Sequence, residues 1–166
     1  MTGAPGPRPP EWGPLPGHRA ALRPATAADL PALVELLVDD PLGRHRESTA
    51  DLAPYRSAFE RIDADPAHLL VVAADGPDVV GTLQLSFLPG LARGGALRGQ
   101  VEAVRVRADR RGQGLGGAML RWVIEECRRQ GATLVQLTSD RSRAEAHRFY
   151  AGLGFTASHT GFKLWL

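Results

Sequence analysis

The chain has little cysteine, almost no lysine, and no long apolar run. Cys127 is its only cysteine, which excludes an internal disulfide and suits a reducing compartment. No stretch of about 20 apolar residues occurs, so no membrane-spanning helix is expected. The first residues lack the charged-then-apolar layout of a secretory signal. The cytoplasm is therefore the expected location. Charge of one sign is also missing: 20 basic against 18 acidic residues leave a formal +2, too little to argue for nucleic acid. All but one of the basic residues are arginine, Lys163 being the exception. No His/Cys/Asp cluster has metal-ligand spacing, and no metal is expected.

What remains is a length of 166 residues, 43% of them hydrophobic and 23% charged, which fits one globular domain. Residues 1–18, rich in proline and glycine, read as a flexible N-terminal extension, with the domain proper over 19–166. Within it, Arg19–Pro24 predicts a short strand. Thr26-Ala-Ala-Asp29 is a capping box opening a helix with Leu30, Leu33, Val34, Leu37 and Val38 on one face. A second helix is predicted over Asp51–Asp63. Two strands, His68–Ala74 and Val79–Phe87, flank the turn Asp75-Gly-Pro-Asp78. Pro89–Gly99 reads as a loop able to act as a flap. A valine-rich strand, a glycine turn and a helix follow. Then come a strand (Thr133–Thr138), a helix (Arg143–Gly152) and paired strands (Phe155–His159 and Phe162–Leu166). The order β-αα-ββ-β-α-β-α-ββ is an α/β (α+β) layout with a mixed central sheet flanked by helices.

The chemistry concentrates at Arg111-Gly112-Gln113-Gly114-Leu115-Gly116-Gly117. The strand Val101–Arg107 runs in, and a helix marked by Leu120, Val123, Ile124 and Cys127 runs out. Four glycines leave the backbone bare and admit positive φ. The helix start adds unpaired N–H groups and partial positive charge, a cradle for a diphosphate. A nucleotide-triphosphate loop would end Gly-Lys-Ser/Thr, whereas Gly116 precedes Gly117-Ala118. A dinucleotide fold would place the turn near its first strand with an acid about 20 residues on. This turn lies past mid-chain, and Gly131–Leu134 offers no acid.

Arg111-x-x-Gly114-x-Gly116, followed at a distance by Ala146-x-x-Phe149-Tyr150-x-x-Leu153-Gly154-Phe155, resembles the GCN5-related N-acetyltransferase (GNAT) superfamily over Arg19–Leu166. Ser142–Tyr150 through Ser158–His159 is similar to the end of aminoalkylphosphonate N-acetyltransferases. The resemblance implies an acetyl-CoA-dependent N-acetyltransferase with acetyl-coenzyme A as donor. Its pyrophosphate would rest on the amides of Gln113, Gly114, Leu115, Gly116 and Gly117, with Gly112 in the same donor-binding turn and Arg110 or Arg111 assisting by charge. The strand before the turn would splay, freeing the backbone of Val104 and Val106 for the pantetheine arm and an N–H for the oxyanion. Arg143 stands where many members carry a donor-contacting asparagine, and would touch the coenzyme A phosphate or ribose instead.

Catalysis needs a base for the ammonium and an acid for the departing thiolate. Tyr150 matches the family's proton donor. The competing reading makes it a core aromatic, a role that Phe149 beside it would fill. Glu102, taken to lie on the same strand face as Val104, is the candidate base through water. Its competing reading is a rim carboxylate paired with Arg98 or Arg105. His147 and His159 are alternative bases, and Cys127 reads as inert core. The acceptor region would include Asp39–Glu47, where acids suit an ammonium and Arg44 and Arg46 suit a carboxylate, phosphonate or phosphate. The first expectation is a small-molecule primary amine. A protein N-terminus or lysine, or a non-catalytic acyl-coenzyme A-binding module, are the alternatives. A homodimer is implied by the resemblance; nucleic-acid and membrane partners are not.

Overall fold

The computed structural model describes residues 11–40 and 46–166. Six strands form one sheet in sequence order: β1 (Gly13–Pro14), β2 (Ala21–Pro24), β3 (His68–Asp75), β4 (Asp78–Pro89), β5 (Leu97–Val106) and β6 (Leu134–Leu137). Neighbours are antiparallel except β5 and β6, which run parallel because a helix connects them. The helices are α1 (Leu30–Val38), α2 (Ala53–Ala64), the single turn α3 (Ala92–Gly95), α4 (Leu115–Arg129) and α5 (Ala144–Gly152).

Period-two alternation sorts the sheet's side chains to two cores. Val71, Leu83, Leu85 and Val101 face Met119, Leu120, Val123 and Cys127 of α4. On the other side, Leu70 and Val72 meet Leu30, Leu33 and Leu36 of α1 and Phe59 of α2. The capping box at the start of α1 forms as expected: Thr26 N donates to Asp29 Oδ2 at 2.7 Å. Two guanidinium nitrogens of Arg23 hold the same carboxylate, each at 2.8 Å. Burial raises the Asp29 pKa, but the bonds from Arg23 and Thr26 outweigh it and hold the carboxyl below its usual range.

The structure corrects the sequence reading at three places. Residues 12–18 are not a loose extension. Trp12 N bonds Leu22 O at 2.8 Å, β1 pairs with β2, Leu15 is buried, and the rings of Trp12 and Trp122 lie 4.9 Å apart. Two aromatic and aliphatic anchors outweigh the local proline and glycine. Residues 1–10 of that segment, and 41–45 of the expected acceptor loop, lie outside the described residues. Second, β5 begins at Leu97, inside the expected loop, because β4 extends to Pro89 and pairs Pro89 with Leu97. Third, no strand forms after α5 among the described residues. Gly161 lies beside Thr138, yet Phe162 is 92% and Trp165 81% exposed. The alternation there is strand-like, but the segment has no sheet partner to fix it.

Candidate active site

Two irregularities in β5 build the site. Pairing with β4 matches Gln84 to Glu102 but Thr82 to Arg105, so Ala103 and Val104 together oppose Leu83. This is a β-bulge, and Ala103 takes φ +52° to accommodate it. A non-glycine residue in that region stores strain of a kind that clusters at functional sites. Pairing with β6 covers only Arg98–Val101. Beyond it the two parallel strands part, leaving Glu102–Val106 without a strand on that side. A wedge therefore opens between β5 and the chain that leaves β6, and Tyr150 of α5 packs against the same core as Val104 and Val106.

The bulge reverses the faces expected downstream. Val104 and Val106 join Val101 on the α4 core. Glu102 and Arg105, matched to Gln84 and Thr82, take the α1/α2 face. The expectation that Glu102 and Val104 share a face is thus corrected, since one extra residue shifts the alternation. Glu102 is exposed and forms no ion pair with Arg98 or Arg105. The carbonyls of Val104 and Val106 accept from Arg105 Nη1 and Arg111 Nε, both at 2.9 Å.

The glycine turn caps the wedge. Gly112 and Gly114 have φ +72° and +83°, which glycine adopts without strain. Gly114 is the N-cap of α4, and no side chain caps that end. Ala118 N makes the first helical bond, to Gly114 O at 3.0 Å. The amides of Leu115, Gly116 and Gly117 precede it and have no intrahelical acceptor. A Cβ at Gly112 would meet nothing, and one at Gly116 would touch only Val106 and Phe149 at ordinary distances. Packing does not demand glycine at either position; at Gly112 the positive φ favours it, and at Gly116 its absence of a side chain leaves the backbone bare. Gln113 folds back to Asp109 O at 2.7 Å. The two arginines are engaged elsewhere. Arg110 Nη2 bonds Asp75 Oδ2 at 2.8 Å, and Arg111 Nη2 bonds Asp39 Oδ2 at 2.7 Å.

On α5 it is Tyr150 that packs inward, where Phe149 was expected. Phe149 is 38% exposed and lies over Gly116, whereas Tyr150 packs against the α4 core. The Tyr150 ring sits 5.3 Å from Phe149 and 6.0 Å from Phe155. Burial pushes its pKa up, opposed in part by the charges of Arg143 and Arg105. The hydroxyl thus stays protonated and the two guanidiniums are its electrostatic neighbours. Arg143, at the N-cap of α5, reaches Asp40 Oδ1 at 3.4 Å, toward the end of α1 and not toward the glycine turn. His147 is exposed with Nε2 2.8 Å from Asp140 O, and His159 is exposed beside Ser158 Oγ. Cys127 is buried, its pKa pushed up to about 11 by burial and then by Glu126. Among the described residues, no group of three or more His, Cys, Asp or Glu side chains converges as a metal site, and no helix is long and apolar enough to cross a membrane.

Residues 30–155 match the model of the acetyltransferase (GNAT) family. The chain belongs to this family. It is an N-acetyltransferase, built on a mixed six-stranded sheet flanked by helices. Its relatives include the aminoalkylphosphonate N-acetyltransferase of Salmonella typhimurium, 30% identical over 141 residues, 85% of this chain and 88% of that one. The L-methionine sulfoximine/L-methionine sulfone acetyltransferase of Pseudomonas aeruginosa is 29% identical over 84% of this chain and 81% of its own. Among solved structures, a Bacillus halodurans protein described as a transcriptional regulator superposes with a TM-score of 0.86 at 42% identity, covering 89% of this chain and 99% of that one. A putative acetyltransferase of Agrobacterium tumefaciens gives 0.77 at 28% identity, covering 87% and 99%.

Sequence reasoning did not bring Asp40 and Arg105 together. Both acids ending α1 read as partners for an ammonium, yet Asp39 is held by Arg111 and Asp40 by Arg105 and Arg143. An arginine between two valines of a half-buried strand was the available signal.

Proposed function

We propose that the chain moves an acetyl group from acetyl-coenzyme A directly to a primary amine carried by a small molecule. The observation that carries this reading is the wedge: a bulged strand parting from its parallel neighbour, closed at one end by uncapped helix amides. The donor fits the residues present. The amides of Leu115, Gly116 and Gly117 would hold its diphosphate, with Gly112, Gln113 and Gly114 shaping the turn. The side of β5 without a strand at Val104 and Val106 would pair with the pantetheine arm, first through its amides, since both carbonyls already accept from arginines. Bound there, the donor supplies an acyl group activated as a thioester.

The chain's own groups handle the protons. Tyr150, kept protonated by its burial, would give its proton to the departing sulfur. Glu102 would draw a proton from the ammonium through water, and its place on the α1/α2 face sets it on the side where those helices would bound the acceptor. Arg111 would act at the mouth of the wedge, where it already bonds Val106 O. The two small-molecule acetyltransferases among the relatives support a small acceptor over a protein. The exposed apolar residues of the C-terminal segment support pairing of two copies.

Thiol release from acetyl-coenzyme A across small amines, peptides and buffer alone tests the reaction. Turnover with a small amine is expected; turnover confined to peptides would favour the protein-directed alternative. Calorimetry on a folded Gly114→Glu variant tests the donor site. Its carboxylate would oppose the diphosphate, so donor affinity should fall by at least about 100-fold, and unchanged affinity would refute the assignment.

A further inference from the structure

The α1/α2 face of β5 carries more positive charge than proton transfer requires. Arg105 runs from the bulge toward the end of α1 with its side chain only 13% exposed, and its Nη2 lies 3.5 Å from Asp40 Oδ2. Arg143 approaches the other oxygen of the same buried carboxylate at 3.4 Å. Both separations exceed the 2.7–2.9 Å or so of a direct charge-assisted bond. Arg105 Nη1 is used on Val104 O, but its Nε is buried with no hydrogen-bond partner. Burial pushes the Arg105 pKa down; Asp40 opposes this, while the charges of Arg143 and Arg46 reinforce it.

A guanidinium stays charged under such pressure, and a buried N–H without an acceptor is a cost that a ligand oxygen would remove. The unsatisfied donor does not lie in a remote core. Arg105 sits three residues from Glu102 on the same strand face, and both arginines act on Tyr150 through space. The cluster is therefore next to the groups assigned to proton transfer.

We propose that Arg105 and Arg143 form an oxyanion subsite for the acceptor, so that the preferred amines carry a carboxylate, phosphonate or phosphate on the same molecule. This rests on the acetyl-transfer reading above. The Arg105 Nε–H and the Arg143 guanidinium would each take an oxygen of one anion, with Asp40 holding the two side chains in place. Anchoring the acidic end there leaves the amine to extend toward Glu102. The nearby positive charge also disfavours the ammonium form, which helps the amine lose its proton. A neutral amine of the same length would leave the Arg105 Nε–H unpaired, and sites built to bond a polar group discriminate strongly against ligands that lack it.

Matched acceptors test this: an aminoalkylphosphonate against its diester, and an amino acid against its methyl ester. The wild-type kcat/KM should favour the anionic member by about 100-fold or more. Arg105→Gln should cut that ratio at least tenfold, mainly through acceptor KM, with a smaller cut for the more exposed Arg143→Gln, whose folding is the safer of the two. Calorimetric titration of the same pairs, with coenzyme A present, reads the subsite without turnover. Selective binding of the anionic members with no acetylation would refute the reaction and leave the subsite standing. Equal binding and equal kcat/KM within each pair would overturn the subsite alone. So would variants that raise the donor KM while leaving the acceptor ratio intact, because the anion recognised would then be coenzyme A's own phosphate.

Discussion

Gly99 stands where β5 passes beneath α4, and one added methyl group there should be felt through the whole donor side of the protein. A Cβ at that position would overlap Cys127 Sγ and come within 3.4 Å of Leu85 Cδ1. Cys127 and Leu85 are fully buried, so neither can swing into solvent. Inserting a methylene-sized group into such packing costs about 1–3 kcal/mol. Alanine returns roughly 0.5–1 kcal/mol over glycine in a strand interior. Gly99→Ala should therefore destabilise by about 1–2 kcal/mol, a fall in Tm of roughly 2–8 °C for a chain of this size. Cys127→Ala alone removes a buried sulfur and should cost about 1 kcal/mol. Together the two changes exchange one atom for another across the contact. The double variant should then be more stable than the sum of the singles predicts by about 1–3 kcal/mol. Urea unfolding of all four proteins measures the coupling. Additive losses, with the double variant some 2–3 kcal/mol below wild type, would refute the packing argument. Because α4 starts at the glycine turn, donor affinity of the folded variants reports how far the strain travels.

Tyr150→Phe should lower kcat by about 100-fold or more while barely changing acceptor KM. Since burial raises the Tyr150 pKa, the wild-type rate should hold past the ordinary tyrosine value near ~10 before falling; a pH–rate profile breaking well below it would remove Tyr150 as the acid. Asp29→Asn should cost about 1–2 kcal/mol at pH 7. The Asp29 pKa is depressed by its partners, so its stabilisation is present above the unfolded value near ~3.9 and lost as pH falls through the folded one. Denaturation of both proteins at pH 7 and pH 2.5 should show the gap closing in acid. Cys127, with its pKa pushed up to about 11 and its side chain buried, should resist a disulfide reagent at pH 8 until denaturant opens the core, and rapid labelling of the native protein would contradict its burial.

Helices α1, α2, α4 and α5 and strands β2, β3 and β4 were legible because their signals are local. The capping box at Thr26 and Asp29, the apolar face of α4 and the Gly76 turn each lie within one element. The glycine turn was legible for the same reason. What stayed hidden depends on partners distant in sequence. Trp12 gains its place from Trp122, more than a hundred residues away. The bulge at Ala103 carries no glycine or proline to mark it, so the faces of Glu102 and Val104 were read by simple alternation and came out wrong. Asp39 and Asp40 look available in the sequence, yet they are held by arginines from β5, the glycine turn and α5. The C-terminal alternation predicted strands, but alternation does not supply a sheet edge to pair with.

The extra residue in β5 behaves like a frameshift in a code read two letters at a time. Upstream of Ala103 the odd positions face α4; downstream the even ones do. No single substitution restores the earlier frame, since what matters is the count of residues and not their identity. Deleting Ala103 would flatten the bulge into regular pairing with β4, Val104 opposite Leu83, and would leave Val104 and Val106 toward α4 and Arg105 on the face of Glu102. What the extra residue contributes is the bulge itself, a local bend and a positive φ, and a transplant of the site to another strand must carry that bend along.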